Sequence, residues 1–257
     1  MKHLAKGRKA VKWQLIIAFV LFAIAAAIAA IYYYSTSSTN FNATYFNGHT
    51  YLLVNTSMQG NFTFIAWVKY TSFNGTGVIA SQGISEGTHS TWYVGTGGEI
   101  MNRTMCGVFS DEKVPGNYTA GWRFATVPFI GIDSWHMIAC VYNKTSISIY
   151  VNGTLENTTN TPYSVYGQRI IEIGKRTSTF YINGNTPTFA YFKGYIGNVE
   201  FYNTSLQGST ILQLYRDGIN GKPMNGVSLY IPLSGTTNTT QCLEYGRACN
   251  ASLVTSK

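Results

Sequence analysis

Hydrophobic and polar positions divide this chain into two parts with different patterns. Residues 13–34 are apolar except for Gln14, and this run of 22 residues predicts one long helix. Such a helix extends about 33 Å, which is enough to cross a hydrocarbon core of about 30 Å. We therefore predict a transmembrane helix over residues 13–34, between a basic segment (1–12) and a polar stalk (35–43).

Beyond the stalk the pattern changes to short runs rich in aromatic and β-branched residues. Residues 63–70 and 135–142 are typical strands, and the alternation of Ile147 and Ile149 with serine in residues 146–151 predicts a strand with one buried face. Asn-Gly pairs, which favour hairpin turns, recur at 47–48, 74–75, 152–153, 183–184, 220–221 and 225–226.

Many short strands separated by tight turns predict an all-β domain over residues 44–257, an antiparallel sandwich or barrel rather than an α/β fold. One short helical pattern interrupts it at residues 210–218. Ser209 is a candidate N-cap for this helix, and Gly218 is a candidate C-terminal stop.

The charge distribution orients the predicted transmembrane helix. The first acidic residue of the chain is Glu86, and five basic residues precede the helix: Lys2, Lys6, Arg8, Lys9 and Lys12. The positive-inside rule therefore predicts a single-pass membrane protein with a cytoplasmic N-terminus and an extracellular β-domain, on a cell or virion surface.

Two other interpretations of the N-terminal segment stay open. It is a cleaved secretory signal if processing occurs at the small residues Ala27 and Ala29. It also resembles the leaders of pilin-like archaeal surface proteins, in which the hydrophobic helix packs into a filament. All three interpretations export the remainder of the chain.

The formal net charge of +8 does not indicate a nucleic-acid-binding protein. Five of the 18 basic residues precede the predicted membrane helix, which leaves 13 basic and 10 acidic residues in the exported part. That field is too weak to attract a polyanion strongly, so we expect no nucleic-acid partner. Charged residues form only 11% of the chain, so its solubility needs another source.

Glycosylation is one such source. Asn-x-Ser/Thr sequons without a central proline begin at Asn42, Asn55, Asn61, Asn74, Asn102, Asn117, Asn143, Asn152, Asn157, Asn203, Asn238 and Asn250. Their spread over the exported part predicts a glycosylated surface protein.

The four cysteines suit an oxidising exterior. Cys242 and Cys249 enclose six residues, a loop that would staple a C-terminal tail, and Cys106 and Cys140 would then pair by elimination. Four cysteines allow three connectivities, so these pairs are a prediction. A metal site is the alternative, but the cysteine spacings fit no zinc pattern.

Several segments, in this order, resemble the laminin-G-like branch of the concanavalin-A-like jelly-roll superfamily. They are Tyr45–Val54 as an opening hairpin, Phe62–Lys69 as a core strand with an inward Trp67, Asp133–Ala139 with Tyr150–Gly153 as a strand pair, Ile171–Gly174 with Phe192–Asn203 as closing strands, and Ile211–Tyr215 as a helix. The similarity covers residues 44–232. It implies an antiparallel β-sandwich with a lectin-like binding role.

The resemblance also bears on calcium. Many members of the family carry Asp where this chain has Asn143, Asn152 and Asn198. Calcium sites need several hard oxygen ligands, usually including carboxylates. We therefore expect no cofactor, with calcium held by Asp133, or by Asp111 and Glu112, as the open alternative.

Catalytic patterns are missing from the sequence. Glycan-cleaving enzymes on this fold place two or three carboxylates along one strand, whereas Glu99, Glu172 and Glu200 are each solitary. No histidine among His49, His89 and His136 has a triad-like partner in sequence. We expect a protein that is not an enzyme.

Aromatic side chains are the remaining candidates for ligand binding, because sugars stack on exposed rings. Trp67 and Trp135 lie in strand patterns and are expected to be buried in the core. The candidate ligand-binding residues lie in segments predicted as loops: Trp92, Tyr93, Trp122, Arg123, Tyr163 and Tyr166.

Together these observations predict a membrane-anchored, glycosylated surface protein whose lectin-like domain binds a glycan or a glycosylated partner. The alternative is a structural subunit of a cell-surface or virion coat or filament, which would self-assemble through the apolar helix.

Overall fold

The computed structural model describes residues 43–56, 58–73, 75–82, 91–97, 100, 102–109, 122–161, 170–181, 187–233, 239–244 and 247–255, together with Val20, Ala23 and Ile24. The chain forms two compact units, Met1–Asn40 and Phe41–Lys257.

In the first unit, Val20, Ala23 and Ile24 are helical, and Val20 and Ile24 are about half exposed. The rest of the predicted transmembrane helix (13–34) and most of the stalk lie outside the described residues. Within the described part of the chain, no helix has the length and apolar character needed to span a bilayer.

The second unit is an all-β antiparallel sandwich, as predicted. Its strands are β1 (Thr44–Asn47), β2 (Thr50–Val54), β3 (Phe62–Tyr70), β4 (Gly77–Gln82), β5 (Trp92–Thr96), β6 (Arg103–Phe109), β7 (Trp122–Pro128), β8 (His136–Tyr142), β9 (Ser146–Val151), β10 (Thr154–Asn160), β11 (Ile171–Ile173), β12 (Lys175–Tyr181), β13 (Pro187–Tyr191), β14 (Lys193–Tyr202), β15 (Leu229–Ile231), β16 (Thr239–Glu244) and β17 (Arg247–Thr255). The helix α1 (Gly208–Asp217) lies between β14 and β15.

The strands form two packed layers. The back sheet runs β10, β9, β8, β3, β14, β15, with β1 paired to β14, and the front sheet runs β2, β11, β4, β5, β6, β7. Strands β16 and β17 connect β15 to β2 at one side, while β12 and β13 form a separate two-stranded hairpin.

The core lies between the two sheets and is rich in aromatic rings. The Trp92 ring on β5 packs against Phe62 and Phe64 on β3, with centroids 5.5 Å and 6.1 Å apart. A disulfide joins Cys106 on β6 to Cys140 on β8 across this core, with a Cα–Cα distance of 5.8 Å. The structure thus contains one of the two disulfides that the sequence predicts.

The second predicted disulfide concerns β16 and β17. Their antiparallel register places Cys242 directly opposite Cys249. Opposed residues in such a pair have Cα atoms about 4.5–5.5 Å apart, which is within disulfide range. The pairing of these two cysteines stays a prediction.

The predicted hairpin at Asn152–Gly153 is confirmed. Asn152 and Gly153 both have positive φ (51° and 81°), and they join β9 to β10.

The predicted opening hairpin over Tyr45–Val54 is wrong, because β1 pairs with β14 whereas β2 pairs with β11 and β17. The turn at Asn47–Gly48 instead carries the chain from the back sheet to the front sheet.

The predicted orientation of two tryptophans is also wrong. On β3 the even-numbered residues, such as Phe64, face the core, so Trp67 faces outward and stacks on Tyr215 of α1 at 5.6 Å. Trp135 precedes β8 and is half-buried. The sequence shows an alternation but does not tell which set of residues faces the other sheet.

Helix α1 covers the outer face of the back sheet with Ile211 and Leu214. Gly218 ends it with φ 78°, as predicted. The predicted N-cap is wrong: Gln207 occupies that position, and it makes no side-chain capping bond.

Candidate functional site

The outer face of the front sheet is the part of the domain where polar and aromatic side chains converge. Alternation along the strands sends Ile171 and Ile173 into the core and Glu172 outward, and likewise Trp92 inward and Tyr93 outward. At Gly174 the chain leaves β11 and turns onto this face as β12. Gly174 has φ +84°, and an added Cβ would collide with the ring of Phe46, so no larger residue fits.

Lys175, the first residue of β12, is held between aromatic rings and a carboxylate. Its Nζ lies 4.0 Å from the ring centroid of Tyr51 and 5.8 Å from that of Tyr191. The same Nζ lies 3.6 Å from Oε1 of Glu172. Both partners of this ion pair are buried, whereas both tyrosines are half-buried. We call these four residues the lysine cluster.

Two neighbours extend the lysine cluster. Ser81 donates a hydrogen bond to the backbone carbonyl of Lys175 at 3.0 Å, and its Oγ lies 3.4 Å from Oε2 of Glu172. His49 is exposed, with its ring centroid 6.1 Å from that of Tyr191. The cluster thus combines a buried ammonium–carboxylate pair with two half-buried aromatic rings.

Arg176 enters a second aromatic cluster on the same face. Its guanidinium carbon lies 4.0 Å from the ring centroid of Tyr93 and 4.8 Å from that of Trp122. The ring of Phe124 stacks on that of Trp122, with centroids 5.5 Å apart. The Phe124 ring lies against Gly107, where an added Cβ would collide with it. Arg176, Tyr93 and Trp122 are all buried, so the guanidinium fills this cluster.

The candidate ligand-binding residues from the sequence fall in different environments. Trp92 and Tyr93 lie on β5, and Trp122 and Arg123 lie on β7, so their prediction as loop residues is wrong. Trp92 is 1% exposed within the core, which leaves no ring face for a sugar.

Two of the predicted residues share a cluster, and others lie elsewhere. Tyr93 and Trp122 meet in the Arg176 cluster, with ring centroids 5.1 Å apart. Arg123 is half-buried and donates to the Trp122 carbonyl. Tyr163 and Tyr166 lie outside the described residues, as do Glu99, His89, Asp111 and Glu112.

The sequence does not mark Tyr51, Tyr191, Lys175 or Arg176 as site residues, and Glu172 stands out in it only as a solitary acid. One signal was available: a glycine followed by two cations directly after an Ile-Glu-Ile strand. Nothing in the sequence indicates that β2 and β13 bring tyrosines to the same lysine.

The residues at the family's calcium positions do not fit a calcium site. Asn143 and Asn152 lie at opposite ends of β9, about 20 Å apart for a strand of that length. Asn143 Oδ1 accepts bonds from Thr145 and Ser146, and Asn198 Nδ2 donates to the Ile219 carbonyl. Among the described residues no group of three or more His, Cys, Asp or Glu is placed to hold a metal ion.

Asn152 has a different structural role. Its Oδ1 accepts a bond from the Met137 N–H at 3.0 Å, and its Nδ2 lies 3.2 Å from Nδ1 of His136. Burial lowers the pKa of His136, which favours the neutral ring, whose Nδ1 then accepts from Asn152. The asparagine therefore ties the β9–β10 turn to the start of β8.

Within the described residues, no sequon asparagine lies on a front-sheet strand, although Asn55 directly follows β2 and Asn102 directly precedes β6. Asn250 lies on β17, which pairs with β2. Asn55 and Asn102 are exposed at strand ends, while Asn157 lies on β10, at the edge of the back sheet. Asn42, Asn74, Asn117 and Asn238 lie outside the described residues.

Comparison with solved structures supports the fold. A candidate carbohydrate-binding protein from Bacteroides ovatus aligns with a TM-score of 0.55 and 18% identity, over 82% of this chain and 57% of that one. The native heptameric SAP-like pentraxin from Limulus polyphemus aligns with a TM-score of 0.53 and 12% identity, over 81% of this chain and 93% of that one. The chain thus spans little more than half of the Bacteroides protein. At these identities the likeness concerns the fold alone.

Sequence comparisons identify the family. A search of curated proteins finds no match. Residues 46–212, more than half of the chain, match a laminin-G family model described as the concanavalin A-like lectin/glucanases superfamily. On that match, and on the two-layer antiparallel sandwich described above, this protein belongs to the concanavalin A-like lectin/glucanase superfamily.

Proposed function

We propose that this protein binds carbohydrate through the lysine cluster on the outer face of the front sheet. The observation that carries the proposal is the position of the Lys175–Glu172 ion pair between the half-buried rings of Tyr51 and Tyr191. An ammonium and a carboxylate offer a donor and an acceptor for sugar hydroxyls. Tyrosine rings pack against the apolar C–H faces of a sugar.

Two further observations support carbohydrate as the ligand. None of the described front-sheet strands carries a sequon asparagine along its length, so their outward side chains have no glycan attached between them. A protein of similar fold from Bacteroides ovatus is described as a candidate carbohydrate-binding protein.

We propose binding without catalysis. Glycoside hydrolysis by the usual mechanisms needs two carboxyl groups about 5–10 Å apart. Glu172 is the sole carboxylate among the described residues of this face, and it is already paired with Lys175. Among the residues that the structure describes, a ligand held here therefore meets no second acid.

A glycan array probed with the full chain in neutral detergent tests the proposal. We expect saturable binding that Tyr51→Ala or Tyr191→Ala weakens at least tenfold, because each change removes a ring beside the ion pair. Leu155→Thr, at an exposed position on β10, is the matched control. Binding that survives both tyrosine changes, or a silent array, would contradict the proposal. A silent array together with self-association of the full chain would favour the structural-subunit alternative.

We also propose that the N-terminal segment anchors the β-domain outside the cell, by the positive-inside argument. Protease added to intact cells should then remove the β-domain. Protection of the domain until the cells are lysed would overturn this orientation.

A further inference from the structure

A second aromatic surface lies on the opposite sheet, where β1 pairs with the beginning of β14. Thr44 and Phe46 are buried, so alternation along β1 turns Tyr45 outward. On β14, Ile196 is buried and Tyr195 faces outward. The register places these two tyrosines directly opposite each other. Each is 38% exposed, in contrast to the buried rings of Tyr93 and Trp122 on the front sheet.

The two tyrosines and Trp135 form a continuous strip of rings. The centroids of Tyr45 and Tyr195 are 5.0 Å apart with their planes inclined by 51°. Trp135 approaches Tyr195 from the other side, with centroids 6.4 Å apart. We call these three residues the tyrosine strip. Exposed rings with polar tips suit a ligand that has both apolar faces and hydroxyl groups.

Two lysines flank the tyrosine strip. Lys69 on β3 is the register partner of Tyr195, and Lys193 lies two residues before Tyr195 on the same outward side of β14. Neither lysine forms an ion pair within the part of the chain that the structure describes. The register thus places two lysine residues beside Tyr195, and their ammonium groups favour a ligand that carries a carboxylate.

The size of the strip favours a sugar rather than a folded protein. A tyrosine buries about 200 Å² when fully covered, so two tyrosines at 38% exposure offer roughly 150 Å². A stable protein interface needs about 800 Å² on each partner. The strip is therefore large enough for one or two sugar rings and too small to hold a protein by itself.

We propose that the tyrosine strip is a second carbohydrate site, specific for a glycan that carries carboxylate groups. Tyr45, Tyr195 and Trp135 contact the sugar rings, while Lys69 and Lys193 bind the carboxylate. This site shares no residue with the lysine cluster and lies on the other sheet, so either site can exist without the other.

Three carboxylated polysaccharides serve as probes: polygalacturonate, alginate and hyaluronate. The full chain in neutral detergent is titrated against each polysaccharide. Methyl-esterified polygalacturonate is the uncharged counterpart, and a single-stranded oligothymidylate is a polyanion that carries phosphate instead of carboxylate groups. We expect at least one of the three to bind. For polygalacturonate, esterification should weaken any binding about tenfold, because it removes the charge and keeps the backbone.

Variants then locate the site. Tyr195→Thr and Tyr45→Thr keep a strand-forming residue and should weaken binding at least tenfold, whereas Leu155→Thr should not change it. Lys69→Gln should weaken binding severalfold at low salt, and this difference should shrink as salt screens the charge. Each variant should unfold within a few degrees of the unaltered protein, which excludes misfolding as the cause.

The proposal is overturned if none of the three polysaccharides binds, or if binding survives Tyr195→Thr. Equal binding of the methyl ester would overturn the role of the lysines. Oligothymidylate binding that Tyr195→Thr abolishes would assign the strip to nucleic acid instead. If polysaccharide binding is lost in Tyr51→Ala and not in the tyrosine-strip variants, the lysine cluster is the single site. That result would contradict the proposal that the tyrosine strip binds carbohydrate.

Discussion

The guanidinium of Arg176 stacks on the ring of Tyr93, with its central carbon 4.0 Å from the ring centroid. Tyr93 belongs to the front sheet and Arg176 to the hairpin that crosses it, so this contact fastens the β12–β13 hairpin to the sheet. Both residues are buried, which strengthens the attraction between a cation and an aromatic face.

Replacing Arg176 with lysine should destabilise the domain. Lysine keeps the charge but has no planar group to lie over the rings of Tyr93 and Trp122. We expect Arg176→Lys to lower the free energy of unfolding by about 1–2 kcal/mol, measured by urea titration. Arg216→Lys, at an exposed position in the last turn of α1, is the control and should change it by less than about 0.5 kcal/mol. Equal effects at the two positions would show that the stacking has no special role.

The stability of the domain should depend on pH through Glu200. Burial raises the pKa of this carboxyl to about 7 from 4.5, and a hydrogen bond from the Tyr202 hydroxyl opposes the shift. Between these two pH values the folded state binds more protons than the unfolded state. The stabilising contribution of protonated Glu200 is therefore complete below the unfolded pKa and is lost as the pH rises through the folded pKa.

Glu200→Gln tests this dependence, because glutamine stays neutral and can still accept from Tyr202. We expect the free energy of unfolding near pH 8 to rise by up to about 3 kcal/mol relative to the unaltered protein, with no difference near pH 4. Glu156→Gln on β10, at an exposed position, should show no such pH-dependent difference. A difference of the same size at both pH values would indicate a packing effect instead of titration.

Removing the disulfide across the core should be costly. We expect Cys106→Ala with Cys140→Ala to lower the free energy of unfolding by about 2–4 kcal/mol, because the bond closes a long loop in the unfolded chain. A bond between Cys242 and Cys249 would close a much shorter loop. Cys242→Ala with Cys249→Ala should therefore lower the free energy of unfolding by less. Both sulfur-bearing side chains of the core pair are at most 1% exposed, so thiol assays should find them resistant to reductant until the protein unfolds. Rapid reduction in the native state would contradict this placement.

Glycan occupancy should differ among the sequons. Asn55 and Asn102 are exposed, so we expect glycans there. Asn157 Nδ2 donates to the Thr126 carbonyl at 3.0 Å, and Asn152 Nδ2 contacts His136, so a glycan at either nitrogen would break a bond that the fold uses. Peptide mass spectrometry after enzymatic deglycosylation, which converts occupied Asn to Asp, measures occupancy at each position. Full occupancy at Asn152 would show that this bond is dispensable.

Much of the sandwich could be predicted because its signals are local. The β9–β10 hairpin follows from Asn152 and Gly153, which accept positive φ more readily than other residues, and from alternation in β9. Gly218 ends α1 for a similar reason. Such preferences depend on neighbouring residues, which are visible in the sequence.

The two clusters on the front sheet were less predictable, because strands β4 and β5 of that sheet are covered on both faces. Every residue of β4 and β5 is buried, so these strands show little of the alternation that marks a half-exposed strand. This is why Trp92 and Tyr93 did not appear as strand residues. The sequence does not predict the tyrosine strip, because its pattern indicates that β1 pairs with β2. In the structure β1 pairs with β14, which places Tyr45 opposite Tyr195.

The sequence by itself determined the all-β class and several strands and turns, since these follow from short-range periodicity and backbone preference. The order of its segments also resembled a lectin-like family, which the family model matches over residues 46–212. Only the tertiary structure decided which face of each strand meets the other sheet, and which element covers the remaining face. That choice depends on contacts between residues far apart in the chain, such as Lys175 with Tyr51 and Trp67 with Tyr215. Such contacts decide which aromatic rings are buried and which rings stay exposed to a ligand.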